Sequence, residues 1–226
     1  MSQAASVIFA VARKDVITEL RSRESLASML LFAIIVVVIF SFATQGAQDR
    51  LQSLPGLMWA TFIFAGLIGL SRTFGCEERD DCLQGLSLAP VGRHLIYLGK
   101  VAGNVLFMLM MESLVLVLFV VFLDLPLMGS LPSLAATCVL GTVGFSAVGT
   151  LFSAMSLGAR TRETLLPALV VPIILPVMIF AVTVTQHLLS APPDIAAARS
   201  GMTYLAILAV LYTTVASLTF EFVLGD

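Results

Sequence analysis

The chain has 226 residues, 59% of them hydrophobic and 12% charged, with a net charge of -2 and a mean hydropathy of +1.04. A water-soluble domain carries charge on about a quarter of its residues, so this composition excludes one, and the absence of a basic surplus excludes a nucleic-acid footprint. It predicts an all-α polytopic membrane protein, a single domain over residues 1–226 with room for about six spans of roughly 20 residues each.

In chain order, residues 7–24 read as an amphipathic helix. Phe9, Ala12, Val16 and Leu20 recur at three- and four-residue steps, while Arg13, Lys14, Glu19, Arg21 and Arg23 take other faces. Too polar to span, this segment is expected to lie in the interface with its bases toward anionic headgroups. It does not resemble a cleavable signal, having no uninterrupted apolar core.

Six apolar spans are predicted over about 26–43, 54–74, 101–123, 133–157, 165–186 and 203–222. Trp59 falls near the start of the second, where an indole suits a membrane interface. Glu112 is the one ionisable residue deep inside a span. No base stands at another span's centre to neutralise it, so it is expected to meet Ser, Thr or Asn hydroxyls and amides rather than form a salt bridge, or to serve as an intramembrane functional acid. The fourth span carries Gly141, Gly144 and Gly149, which invite close helix packing. The fifth carries Pro167, Pro172 and Pro176, each of which removes a backbone donor and is expected to kink or locally unwind it, making it a moving or lining element.

Between the second and third spans, residues 76–100 form a long polar interruption that includes Glu77, Glu78, Arg79, Asp80, Asp81, Arg93 and Lys100. Within it, Asp80 and Asp81 precede Leu83, Leu86 and Leu88 and a stop at Pro90, the pattern of a short helix with acids at its amino end. Arg93 and Lys100 are expected to anchor the third span at the headgroups. If the six spans alternate, ten of the twelve bases share one side with both termini and this loop, against Arg50 and Arg199 on the other. The positive-inside bias places that side in the cytoplasm.

For chemistry the inventory is thin. Cys76, Cys82 and Cys138 show no metal-ligand spacing, and the lone His187 near the outer end of the fifth span is a weak haem or metal ligand. No Gly-x-x-x-x-Gly-Lys-Ser/Thr, His-Glu-x-x-His or nucleophile elbow is present. If ATP drives this protein, another chain hydrolyses it.

Several segments resemble the membrane subunits of type-two ABC exporters, and within them the CcmB family, the haem exporter permease of cytochrome c maturation. They are Pro55-Gly56-Leu57-Met58-Trp59, Leu88-Ala89-Pro90-Val91 with Tyr97-Leu98-Gly99-Lys100, the run from Gly141 to Phe152, Arg162-Glu163-Thr164-Leu165-Leu166-Pro167, and Phe220-Glu221-Phe222-Val223-Leu224. The resemblance implies the exporter permease fold and a multi-pass, non-catalytic subunit of the bacterial inner membrane. It implies an ATPase partner, CcmA, docking on a coupling helix that contains Asp80, Asp81, Leu83, Gln84, Leu86, Leu88 and Pro90. Asp81 and Gln84 depart from that family's pattern of a small residue and an acid. The further partners implied are CcmC, CcmD and CcmE. Haem is implied as a handled or transported ligand rather than a firmly bound cofactor. Two other readings are open to the same residues: an exporter of a lipid or other amphipathic molecule with Glu112 lining its route, and an intramembrane enzyme using Glu112.

Overall fold

The computed structural model describes residues 2–21, 23–44, 50–70, 92–125, 131–156, 162–190 and 192–223. The segment with Asp80, Asp81, Leu83, Gln84, Leu86, Leu88 and Pro90 lies outside the described residues, as do Cys76 and Cys82.

The described residues form seven helices: α1 (Ser2–Arg21), α2 (Arg23–Ala43), α3 (Arg50–Leu70), α4 (Arg93–Leu123), α5 (Leu131–Met155), α6 (Arg162–Leu189) and α7 (Ile195–Val223). Helices α2 to α7 are each long and apolar enough to cross a membrane, and α1 is not among them. In hydrocarbon a backbone must satisfy its own polar groups, so long apolar runs become helices. The helices extend past several sequence-based limits. Arg93–Lys100 is the first two turns of α4 rather than part of a loop, and α7 opens at Ile195 rather than near 203. Asp124 ends α4 in the left-handed conformation (φ 51°), with its N–H bonded back to the Phe119 carbonyl. An Asp tolerates that conformation better than most side chains.

Helix α5 is the hub, packing against α3, α4, α6 and α7. It and α3 are the spans most enclosed by protein, whereas α2 and α7 turn most of their surface outward. The small residues explain α5's position. A side chain on Gly141 would collide with the Trp59 ring and one on Gly149 with Leu70, both on α3, while one on Gly144 would stand 3.3 Å from Val177 on α6. The three glycines therefore admit two different neighbours, and the close approach gains dispersion energy that lipid cannot match. Helix α2 attaches through Met29, Ala33 and Val37, buried at four-residue steps, against α3 and α4.

Two expectations are corrected. Helix α6 runs unbroken from Arg162 to Leu189 through Pro167, Pro172 and Pro176, and Pro172 and Pro176 are exposed on its outer face. They neither unwind the helix nor line an interior path. Trp59 is buried rather than interfacial, its Nε1–H donating to Thr185 Oγ1 at 3.0 Å and so tying α3 to α6. Helix α1 lies on the first turns of α4 with Val11, Ala12 and Asp15 inward, while Phe9 and Leu20 of its apolar line are exposed. Gly99 makes that contact possible, since a side chain there would strike Val11, and at Gly103 one would stand 3.2 Å from Asp15 Cβ.

Candidate functional site

Polar side chains in the bundle gather on one seam between α4 and α5. On α4, Lys100, Asn104, Met108 and Glu112 fall at four-residue steps and so share a face. On α5, Thr142, Ser146 and Thr150 do the same. The helices run antiparallel, so Asn104 meets Thr150 and Glu112 meets Thr142. The bonds are Asn104 Nδ2–H to Thr150 Oγ1 at 2.8 Å and Thr142 Oγ1–H to Glu112 Oε1 at 2.6 Å. Tyr97 extends the seam by donating from its hydroxyl to the Ala147 carbonyl at 2.8 Å, and Ser153 ties α5 to α3 through the Leu70 carbonyl at 3.0 Å.

The two ends of this row differ. Lys100 is fully buried, 0% exposed, and its ammonium stands 3.4 Å from Asp15 Oδ2 on α1. This overturns its expected place among headgroups: the side chain is enclosed where α1 crosses α4, and the carboxylate supplies the compensating charge that a buried ammonium requires. Asp15 Oδ1 also meets Lys14 at 2.9 Å. Twelve residues on, about 18 Å along the helix axis, Glu112 is 4% exposed. Thr142 contacts Oε1, while Oε2 has no hydrogen-bond partner; Ser146 Oγ is likewise buried without one. The neighbour of Glu112 is thus a hydroxyl rather than a base, in keeping with the sequence.

Glu112 also borders a cavity of about 10 Å³, lined with it by Trp59, Phe62, Ile63, Met108, Gly141, Thr142 and Phe145. That is near the minimum for one water molecule. That space is far smaller than a lipid or a porphyrin.

At the end of the bundle where α4 begins and α7 ends, His94 Nδ1 is 3.2 Å from Glu221 Oε1, and Arg93 Nη1 donates to the Glu221 carbonyl at 3.2 Å. Phe220 packs on Tyr97 with ring centroids 5.1 Å apart. Both ends of the segment 71–92 are therefore braced, on one side by α3 against α5 and on the other by α1 and α7 against α4. Sequence reasoning missed Lys100, Asp15 and Trp59 as interior residues; the four-residue register of Lys100 with Asn104 and Glu112 was the available signal. His187 lies in the last turn of α6, and among the described residues no group of three or more His, Cys, Asp or Glu gathers as a metal site. Cys138 is buried and unpaired.

Six apolar spans, a hub helix of small residues and a buried polar seam define an all-helical, multi-pass membrane protein. The sequence matches the CcmB protein family over residues 6–223 and belongs to it. It is 31% identical to the heme exporter protein B of Pseudomonas aeruginosa over 77% of this chain and 78% of that one. It is 27% identical to that of Rhodobacter capsulatus over 79% and 82%, and 26% identical to that of Bradyrhizobium diazoefficiens over 91% and 93%.

Proposed function

We propose that this chain is the membrane permease subunit of a haem-export system serving c-type cytochrome maturation, non-catalytic itself and driven by a separate ATPase. The observation that carries the reading is a family match across nearly the whole chain, with relatives named heme exporter protein B. The absence of any nucleotide-binding motif from the sequence supports assigning ATP hydrolysis to another subunit.

In this reading CcmA docks on the helix from Asp80 to Pro90 at the cytoplasmic face, with both termini on that same face of the inner membrane. Helix α4 receives the push at Arg93, and α1 and α7, fastened to its first turns, move with it, because packed helices shift as units. Helix α5 takes up the motion through the polar seam. CcmC, CcmD and the chaperone CcmE complete the assembly, and haem is the ligand handled. The test is a chromosomal deletion complemented by the double variant L83D/L86D. Deletion is expected to abolish holo-cytochromes c; the double variant is expected to reach the membrane yet lose co-purification with the ATPase. Normal cytochromes in the deletion strain defeat the haem reading, and retained co-purification with full maturation defeats the docking claim.

A further inference from the structure

At the end of the bundle opposite Arg93, the start of α5, the last turn of α6 and the first turns of α7 enclose a hollow of about 450 Å³. Its polar rim is Arg199, Ser133 and Thr203; its wall is Leu188, Met202 and Ala206. Arg199, Met202, Thr203 and Ala206 occupy one face of α7 at steps of three and four. The hollow therefore runs from a cationic mouth down the helix for about two turns into the apolar part of the span.

Arg199 is exposed, and among the described residues its guanidinium takes part in no ion pair or hydrogen bond. Asp194, the acid beside it in sequence, instead caps α7 by accepting from the Ala197 N–H at 3.0 Å. A guanidinium suits a phosphate, which it grips with paired N–H donors, and Ser133 offers a further hydroxyl.

We propose that this hollow holds the headgroup of an anionic phospholipid, its phosphate on Arg199 and the root of its acyl chains along Met202, Leu188 and Ala206. A free phosphate leaves that apolar wall uncovered, and Arg199 lies just outside the apolar run that begins at Tyr204, where a long basic side chain can reach toward headgroups. The site is separate from the polar seam and does not depend on the haem-export reading.

The experiment is native mass spectrometry of the purified full chain, with any co-purifying subunits, from micelles mixing phosphatidylglycerol and phosphatidylcholine. One phosphatidylglycerol per chain is expected to stay bound. R199A lowers its occupancy about tenfold, as loss of a charge-assisted bond predicts, and R199K retains most of it. R199Q is read alongside as a second uncharged variant that keeps a long polar side chain. A206W, which fills the apolar half and keeps the charge, also lowers it, and this separates a built site from attraction to surface charge. Occupancy unchanged by R199A and R199Q overturns the proposal, as does occupancy unchanged by A206W. Arg199-dependent binding of a porphyrin dicarboxylate without any retained lipid overturns the assignment to phospholipid.

Discussion

Two acids, the half-buried Asp15 and the buried Glu112, meet α4 about three turns apart and solve the same problem in opposite ways. Asp15 reaches α4 from a separate helix to neutralise a fully buried lysine, with a second lysine on its other oxygen. Glu112 sits on α4 itself, takes one threonine hydroxyl on one oxygen and has no hydrogen-bond partner on the other, beside a cavity about the size of one water. The difference follows from depth. Near a span's end two opposite charges can be held together while α1 covers them; in mid-span no base is available, and a hydroxyl is the strongest partner a neighbouring apolar helix offers. The ion pair therefore fastens one helix to another, and the Glu112 contact sets the register between α4 and α5.

The largest effect is expected from breaking the ion pair on one side. D15A removes the carboxylate that faces a buried ammonium and should cost about 3 kcal/mol, read as a lowered midpoint in a detergent thermal-shift assay. The double variant D15L/K100M, which removes both charges, should recover most of that loss. Failure to recover contradicts charge compensation as the cause.

Next comes the notch beneath α1. G99L forces a side chain into Val11 and should destabilise by roughly 1–3 kcal/mol, as overpacking does. Cross-linking of a cysteine pair placed across α1 and α4 should drop in parallel. A stable G99L protein with unchanged cross-linking shows that α1 does not sit where Gly99 admits it.

Smaller still is the Trp59 tie. T185V keeps the indole beside Gly141 and deletes the acceptor of its N–H, for an expected loss of about 1 kcal/mol in the same thermal-shift assay. T185S, which keeps the hydroxyl, should lose less than T185V.

The smallest effect is expected at Glu112. E112Q keeps the shape and an acceptor for Thr142, so stability should change by less than about 0.5 kcal/mol, with cytochrome maturation retained. A folded E112Q protein that fails in maturation assigns Glu112 a role in function rather than in packing, and sharpens the contrast with Asp15.

The hydropathy of the chain by itself determined six spans and their order. The isolation of Glu112 determined the chemistry of its partner, because the sequence offers no mid-span base and hydrocarbon tolerates no unpaired charge. The sequence also carried the small residues of α5 and, through its family resemblance, the functional class.

Only the tertiary structure decided which faces look inward. Lipid is as apolar as a helix interface, so a membrane helix need not advertise its buried side by polarity in the way a soluble one does. For that reason Pro172 and Pro176 read as interior kinks yet face outward, Trp59 reads as an interfacial anchor yet lies inside, and Lys100 reads as a headgroup contact yet is enclosed. For Trp59 and Lys100 the deciding fact is a neighbour distant in sequence, Thr185 for the one and Asp15 for the other. The hollow at Arg199 belongs to the same class, since Ser133, Leu188 and Arg199 come from three helices that only packing brings together.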